Sequence, residues 1–169
     1  MFKGTSASAG IGIGKAVIVE EAELVITRNE VADAEGEIQR FRGALEKTIA
    51  ATQKMADDLA SRVGEKEAEI MQGHMMLLSD PMLTGEIESS IRNDKVNSEF
   101  AIENVCNMYA DMFASMGDEL MQQRATDMRD IKVRMQRTLM GLESVDVSLL
   151  PKGSILVAKD LTPSMNSRY

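Results

Sequence analysis

Cysteine and histidine occur once each in these 169 residues, and the 19 Lys and Arg are outnumbered by 27 Asp and Glu. The single cysteine, Cys106, excludes an internal disulfide. It lies in an apolar helical pattern (Ile102, Val105, Cys106, Tyr109, Met112, Phe113), which marks it as a small core residue. The single histidine, His74, leaves no partners for a histidine-based metal site, and no nucleophile context accompanies it that would make a Ser-His-Asp arrangement. No stretch approaches the roughly 18 uninterrupted apolar residues of a membrane span. The N-terminus also lacks a basic region followed by a hydrophobic core. Membrane insertion is therefore not expected, and the cytoplasm is the simplest compartment. With a net charge of −8 and no basic stripe to neutralise phosphates, nucleic acid is not an expected partner. No repeat or low-complexity segment is evident.

What is present suits a folded, largely helical protein. An apolar content of 44% and a charged content of 27% can bury a real core, enough for one domain or one and a half. The acid is unevenly placed. Residues 65–119 hold 3 Lys/Arg against 12 Asp/Glu, a net of −9. Taken singly, each such carboxylate reads as part of a solvated surface, whereas the stretch as a whole suits a basic protein partner.

The first twenty residues run through glycine-rich sequence into an alternating β-prone segment, Lys15–Val19, followed by a second apolar segment at Leu24–Ile26. The glycines at 10, 12 and 14 do not form a dinucleotide motif, because a strand follows them where a helix is required, and the Gly-Lys-Ser/Thr ending of a phosphate loop is missing. Helix formers then dominate to about Leu142. Ile38, Phe41, Leu45, Ile49, Thr52, Met55 and Leu59 form a stripe at steps of three and four in a helix of some eight turns. A second helix runs from about Glu65 to Ser79 and breaks at Asp80-Pro81; a third starts at Pro81, where proline fits a first helical position, and reaches about Arg92. Asn97 is the expected N-cap of a helix over Phe100–Met116. Asp118 is the expected cap of the last helix, with Leu120, Met128, Ile131, Met135 and Leu139 on one face and its end near Gly141. Pro151-Lys-Gly153 is a turn, and Ser154–Ala158 is β-type again. Two lone strands separated by more than a hundred helical residues must pair with each other or with strands further on. The expected fold is mainly α: a helical domain over residues 29–146, inserted into an incomplete α/β domain to which 1–28 and 147–169 contribute.

Between the second and third helices, Ile70, Met71, Met75, Met76, Leu77, Leu78, Met82 and Leu83 cover more than one helical face. They are either the core of a deeply buried helix or, in part, a docking surface, for which flexible and polarizable methionine is well suited.

Four segments in order resemble Enzyme I of the bacterial sugar phosphotransferase system: Gly4-Thr-Ser-Ala-Ser-Ala-Gly-Ile-Gly-Ile-Gly-Lys-Ala16, Gln72-Gly-His-Met-Met-Leu-Leu-Ser-Asp-Pro81, Arg124-Ala-Thr-Asp-Met-Arg-Asp-Ile131 and Leu156-Val-Ala-Lys-Asp-Leu-Thr-Pro-Ser164. The family's patterns are "G…AS.GIA.GKA", "GH..ML.D", "RA.D.RDI" and "LVA.DLTPS". The resemblance implies a part of a phosphoenolpyruvate-protein phosphotransferase that docks the phosphocarrier HPr for sugar uptake. It places Met76, Leu77, Met82 and Leu83 in an apolar contact, with Glu65, Glu67 and Asp80 facing basic HPr side chains, Arg124 alongside and His74 in support. Lys66, Gln72 and Met82 stand where relatives often carry acids, which shifts the balance of docking towards apolar contact. The resemblance also implies that the surrounding α/β domain is a phosphohistidine swivelling domain whose phospho-accepting histidine lies beyond Tyr169. Phosphoenolpyruvate, magnesium and the main homodimer contacts belong to a further domain, so the 169 residues alone should be inactive and hold no cofactor. Two other readings remain: a structural helical adaptor, in which Met71, Met75, Met76 and Met82 are all buried, and a piece of an enzyme resembling pyruvate phosphate dikinase.

Overall fold

The computed structural model describes residues 9–19, 23–62, 65–142, 151 and 153–158, with side chains for all of these except 19, 62 and 65–67. Strand β1 (Ala16–Val19) is followed by five helices, α1 (Ala34–Arg62), α2 (Glu65–Leu78), α3 (Pro81–Asp94), α4 (Ser98–Ser115) and α5 (Glu119–Met140), and then by strand β2 (Ile155–Ala158). The two strands pair with each other in parallel, Ala16 opposite Ile155 and Val19 opposite Ala158. The helical block is thus enclosed by a strand pair, as the bracketing in sequence predicts. Leu24–Ile26 is not a second strand. It has no regular secondary structure and lies along the bundle, where Leu24 and Ile26 line a cleft with Phe100, Lys132 and Gln136.

Helix boundaries follow from local chemistry. Asp80 has extended backbone angles and its carboxylate accepts the Met82 N–H at 2.9 Å, so one orphan donor of α3 is satisfied next to a proline that has none to offer. Asp118 caps α5 in the same way through Leu120 N–H at 3.2 Å, and Gly141 closes that helix in the left-handed region at φ 67°. Asn97 departs from expectation. It occupies the N-cap position of α4, but its side chain does not cap. Its Oδ1 accepts from Asn29 N–H (2.8 Å), and its Nδ2 donates to the Thr27 carbonyl (3.1 Å), clamping the incoming segment. The α4 N-terminus is served from α1, where Glu37 accepts the Ser98 N–H at 2.8 Å and meets the helix dipole with a negative charge.

The main core gathers the inner faces of all five helices: Ile38 and Phe41 from α1, Leu77 and Leu78 from α2, Leu83, Ile87 and Ile91 from α3, Ile102 and Cys106 from α4, and Met128, Ile131 and Met135 from α5. Burial of each such large side chain contributes about 1.5–3 kcal/mol. Cys106 is a core residue, as its pattern predicts, and burial pushes its thiol up to about 12. A smaller cluster of Met55, Ala56, Leu59, Ala68 and Met71 joins the far ends of α1 and α2. Met112 and Leu120, expected on inward stripes, are exposed. Each lies near a helix end, where the bundle no longer covers that face. Among the described residues no helix is long and apolar enough to cross a membrane.

Candidate functional site

The apolar run of α2 and α3 divides between two sides. Met71, Leu77, Leu78 and Leu83 are buried and Met75 is half-buried, while Ile70, Met76 and Met82 face outward. Met76 is 64% exposed and Met82 68%. The α2–α3 turn therefore presents two flexible thioether side chains on an outer surface with leucines directly beneath. Of the four residues expected in an apolar contact, the structure brings Met76 and Met82 to the surface; Leu77 and Leu83 belong to the core and support it from below. Consecutive residues of a helix point about 100° apart, so adjacent apolar residues in a run cannot all face one way.

Asp80 lies half-buried at the centre of this turn, with one carboxylate oxygen committed to the α3 cap. Tyr109 of α4 is close by: partial burial, then the charges of Glu86 and Asp80, raise its hydroxyl above the ordinary value. The α4 helix thus flanks the turn. Met108 and Met112 of α4 and Met116 at its C-cap follow at steps of four, all exposed, and Leu120 at the start of α5 is exposed as well. Met112 and Leu120 were expected on inward stripes, and Met108 and Met116 were not singled out from sequence. The four-residue spacing was the available signal, set just off the buried stripe of Ile102, Val105 and Cys106.

Arg124 is on α5, half-buried, and its Nε is shielded from solvent with no hydrogen-bond partner. The side chains of Glu65 and Glu67 lie outside the described residues, although their backbone forms the first turn of α2. His74 is fully buried beneath the face. Its Nε2 is 3.2 Å from Asp127 Oδ1 and its Nδ1 is 3.4 Å from Arg134 Nη1, so two of the recognised sequence segments, around His74 and around Asp127, meet in the interior. Among the described residues no group of three or more His, Cys, Asp or Glu side chains is placed to hold a metal ion, and no chemical step is assigned to one.

The α2–α3 turn therefore joins outward Met76 and Met82 to the acidic stretch of residues 65–119. The family defined by the N-terminal region of PEP-utilising enzymes matches residues 3–124, and the chain belongs to that family. Similar curated relatives are phosphoenolpyruvate-protein phosphotransferases: that of Listeria monocytogenes is 40% identical over 163 residues, and that of Bacillus subtilis is 38% identical over 163 residues. In both comparisons 96% of this chain is covered, but only 28% and 29% of the relative. The chain therefore spans less than a third of the length of these relatives. An NMR solution structure of Enzyme I superposes with a TM-score of 0.89 at 35% identity, covering 99% of this chain and 68% of that one. The N-terminal domain of a nitrogen Enzyme 1 shares the fold, with a TM-score of 0.72 at 23% identity over 92% of this chain and 63% of that one.

Proposed function

We propose that this chain is the carrier-docking part of a phosphoenolpyruvate-protein phosphotransferase and that it binds the phosphocarrier HPr through the α2–α3 turn. The exposure of Met76 and Met82 side by side with buried leucines is the observation that carries this reading. An adaptor whose methionines all formed core would have buried both. In this reading Met76 and Met82 supply the contact, Met108, Met112 and Leu120 extend it across α4 to α5, and Arg124 lies at its edge. Glu65, Glu67, Asp80 and the other acids of residues 65–119 attract and orient basic side chains of HPr, which speeds encounter more than it tightens the complex. The donor histidine, the phosphoenolpyruvate site with its magnesium, and the homodimer contacts of the parent enzyme are assigned to none of these residues. The setting is the cytoplasm, where HPr passes the phosphoryl group towards sugar uptake.

An NMR titration of labelled chain with unphosphorylated HPr at low salt tests the proposal. Shifts clustered on 65–83 and near Arg124 are expected, and an unchanged spectrum in a folded sample would overturn it. Raising ionic strength should slow association, because the Debye length falls from ~30 Å at 0.01 M to ~8 Å at 0.15 M; a salt-independent rate would remove the steering role of the acids.

A further inference from the structure

Arg134 reaches two other helices, α1 and α2, from one position on α5. Its Nη2 donates to Thr52 Oγ1 of α1 at 2.6 Å, and its Nη1 faces His74 Nδ1 of α2. A guanidinium offers donors and no acceptor, so Nδ1 must be the bare, accepting nitrogen of the ring. The proton of the neutral imidazole then sits on Nε2 and is donated to Asp127 Oδ1. Neighbouring groups are engaged as well: Asp127 accepts from Gln123 Nε2 at 3.0 Å, and the Thr52 hydroxyl donates to the Thr48 carbonyl at 2.7 Å. This buried polar layer lies between the main core and the small cluster of Met55, Leu59 and Met71.

Apolar packing alone tolerates rotation of a helix about its axis, because it is not directional. Hydrogen bonds to both nitrogens of a fully buried ring are directional, and they fix that rotation. Met76 follows His74 by two residues, roughly 200° around α2, so the bonds that hold the ring inward also hold Met76 outward.

We propose that Arg134 is a positioning residue for the docking face: it holds His74 as the Nε2–H tautomer and so fixes the roll of α2. The proposal takes its functional meaning from the HPr reading above, whereas its geometry stands apart from it.

The test uses the whole chain, in which a lone histidine makes the imidazole signals unambiguous. A long-range proton–nitrogen correlation should show Nε2 protonated and Nδ1 bare. Arg134→Met should disturb that pattern, shift the Met76 methyl resonance and weaken HPr binding roughly tenfold while helicity is retained. If that variant does not fold, Thr52→Val removes a single bond to the guanidinium and should produce the same changes at smaller size. His74→Gln offers an amide oxygen to Arg134 and an amide N–H to Asp127, so it should rescue binding that His74→Leu loses. A protonated Nδ1 in the native chain would overturn the proposal. So would an Arg134→Met protein with unchanged ring and methyl signals, or equal behaviour of the two His74 variants. Failure of the native chain to bind HPr would instead sink the docking reading, with the ring and methyl signals still deciding the role of Arg134.

Discussion

Met128 and Met135, on the inner side of α5, lie in the same core cluster as Ile102 and Cys106 of α4, whereas on the outer side of α2 and α3 Met76 and Met82 stand largely in solvent. One residue type suits both regions because its unbranched, polarizable side chain fills irregular gaps within a core and, in the docking proposed above, adapts to a foreign surface. Helical phase separates the two roles: Met71 is buried and Met76, five residues on, is not. Composition therefore cannot distinguish a core methionine from an exposed one, and the contrast between the regions has to be tested by substitution.

The largest effect should come from the inner region. Met135→Ala should cost about 2–5 kcal/mol by loss of transfer energy and creation of a cavity, read as a lower midpoint in urea. The same change at exposed Met112 should stay within about 0.5 kcal/mol. In the outer region Met76→Asp should leave the midpoint unchanged and weaken HPr binding by at least about 2 kcal/mol, close to thirtyfold. An unfolded Met76→Asp protein would erase the distinction between the regions. Between them lies the α3 cap: Asp80→Ala should cost about 1 kcal/mol of stability and loosen the turn that presents Met82. Asp118→Ala, which removes the equivalent cap from α5, should cost a similar amount without altering the Met82 environment.

The smallest effect concerns acid. Burial alone would raise the pKa of Glu99, but hydrogen bonds from Arg40, its own backbone N–H and Asn97 outweigh it and hold the carboxyl below its ordinary 4.5. A lowered pKa in the folded state means that the unfolded chain binds this proton first. The stabilisation is present above pH 4.5 and disappears as pH falls through the folded value. Glu99→Gln should therefore be less stable at neutral pH and decline less steeply below pH 4.5 than the native chain; parallel declines would show that this carboxylate contributes nothing.

Much of this was legible in advance. Proline at 81, aspartate at 80 and 118 and glycine at 141 act on their own backbone neighbours, so helix boundaries follow from a few adjacent residues. Asn97 holds the expected N-cap position, but its side chain answers instead to Thr27 and Asn29, some seventy residues earlier. Leu77 and Leu83 were placed on the surface with Met76 and Met82 because a run of apolar residues does not say which of its sides another helix will cover. The Arg134–His74–Thr52 layer was invisible for the same reason: no local pattern announces a contact across sixty or eighty residues.

One further consequence follows from where the helical block starts and stops. Asn97 ties down residues 27–29, Arg40 near the start of α1 donates to the Leu139 carbonyl near the end of α5 at 3.0 Å, and the flanking strands run side by side. Neighbouring strands lie only about 4.8 Å apart. The start and the end of the helical block are therefore held close together, and a block with adjacent ends is suited to transfer as a unit. Residues 29–142 could be removed and the gap sealed by a short turn, or set into a surface loop of an unrelated protein, with the methionine face carried along intact.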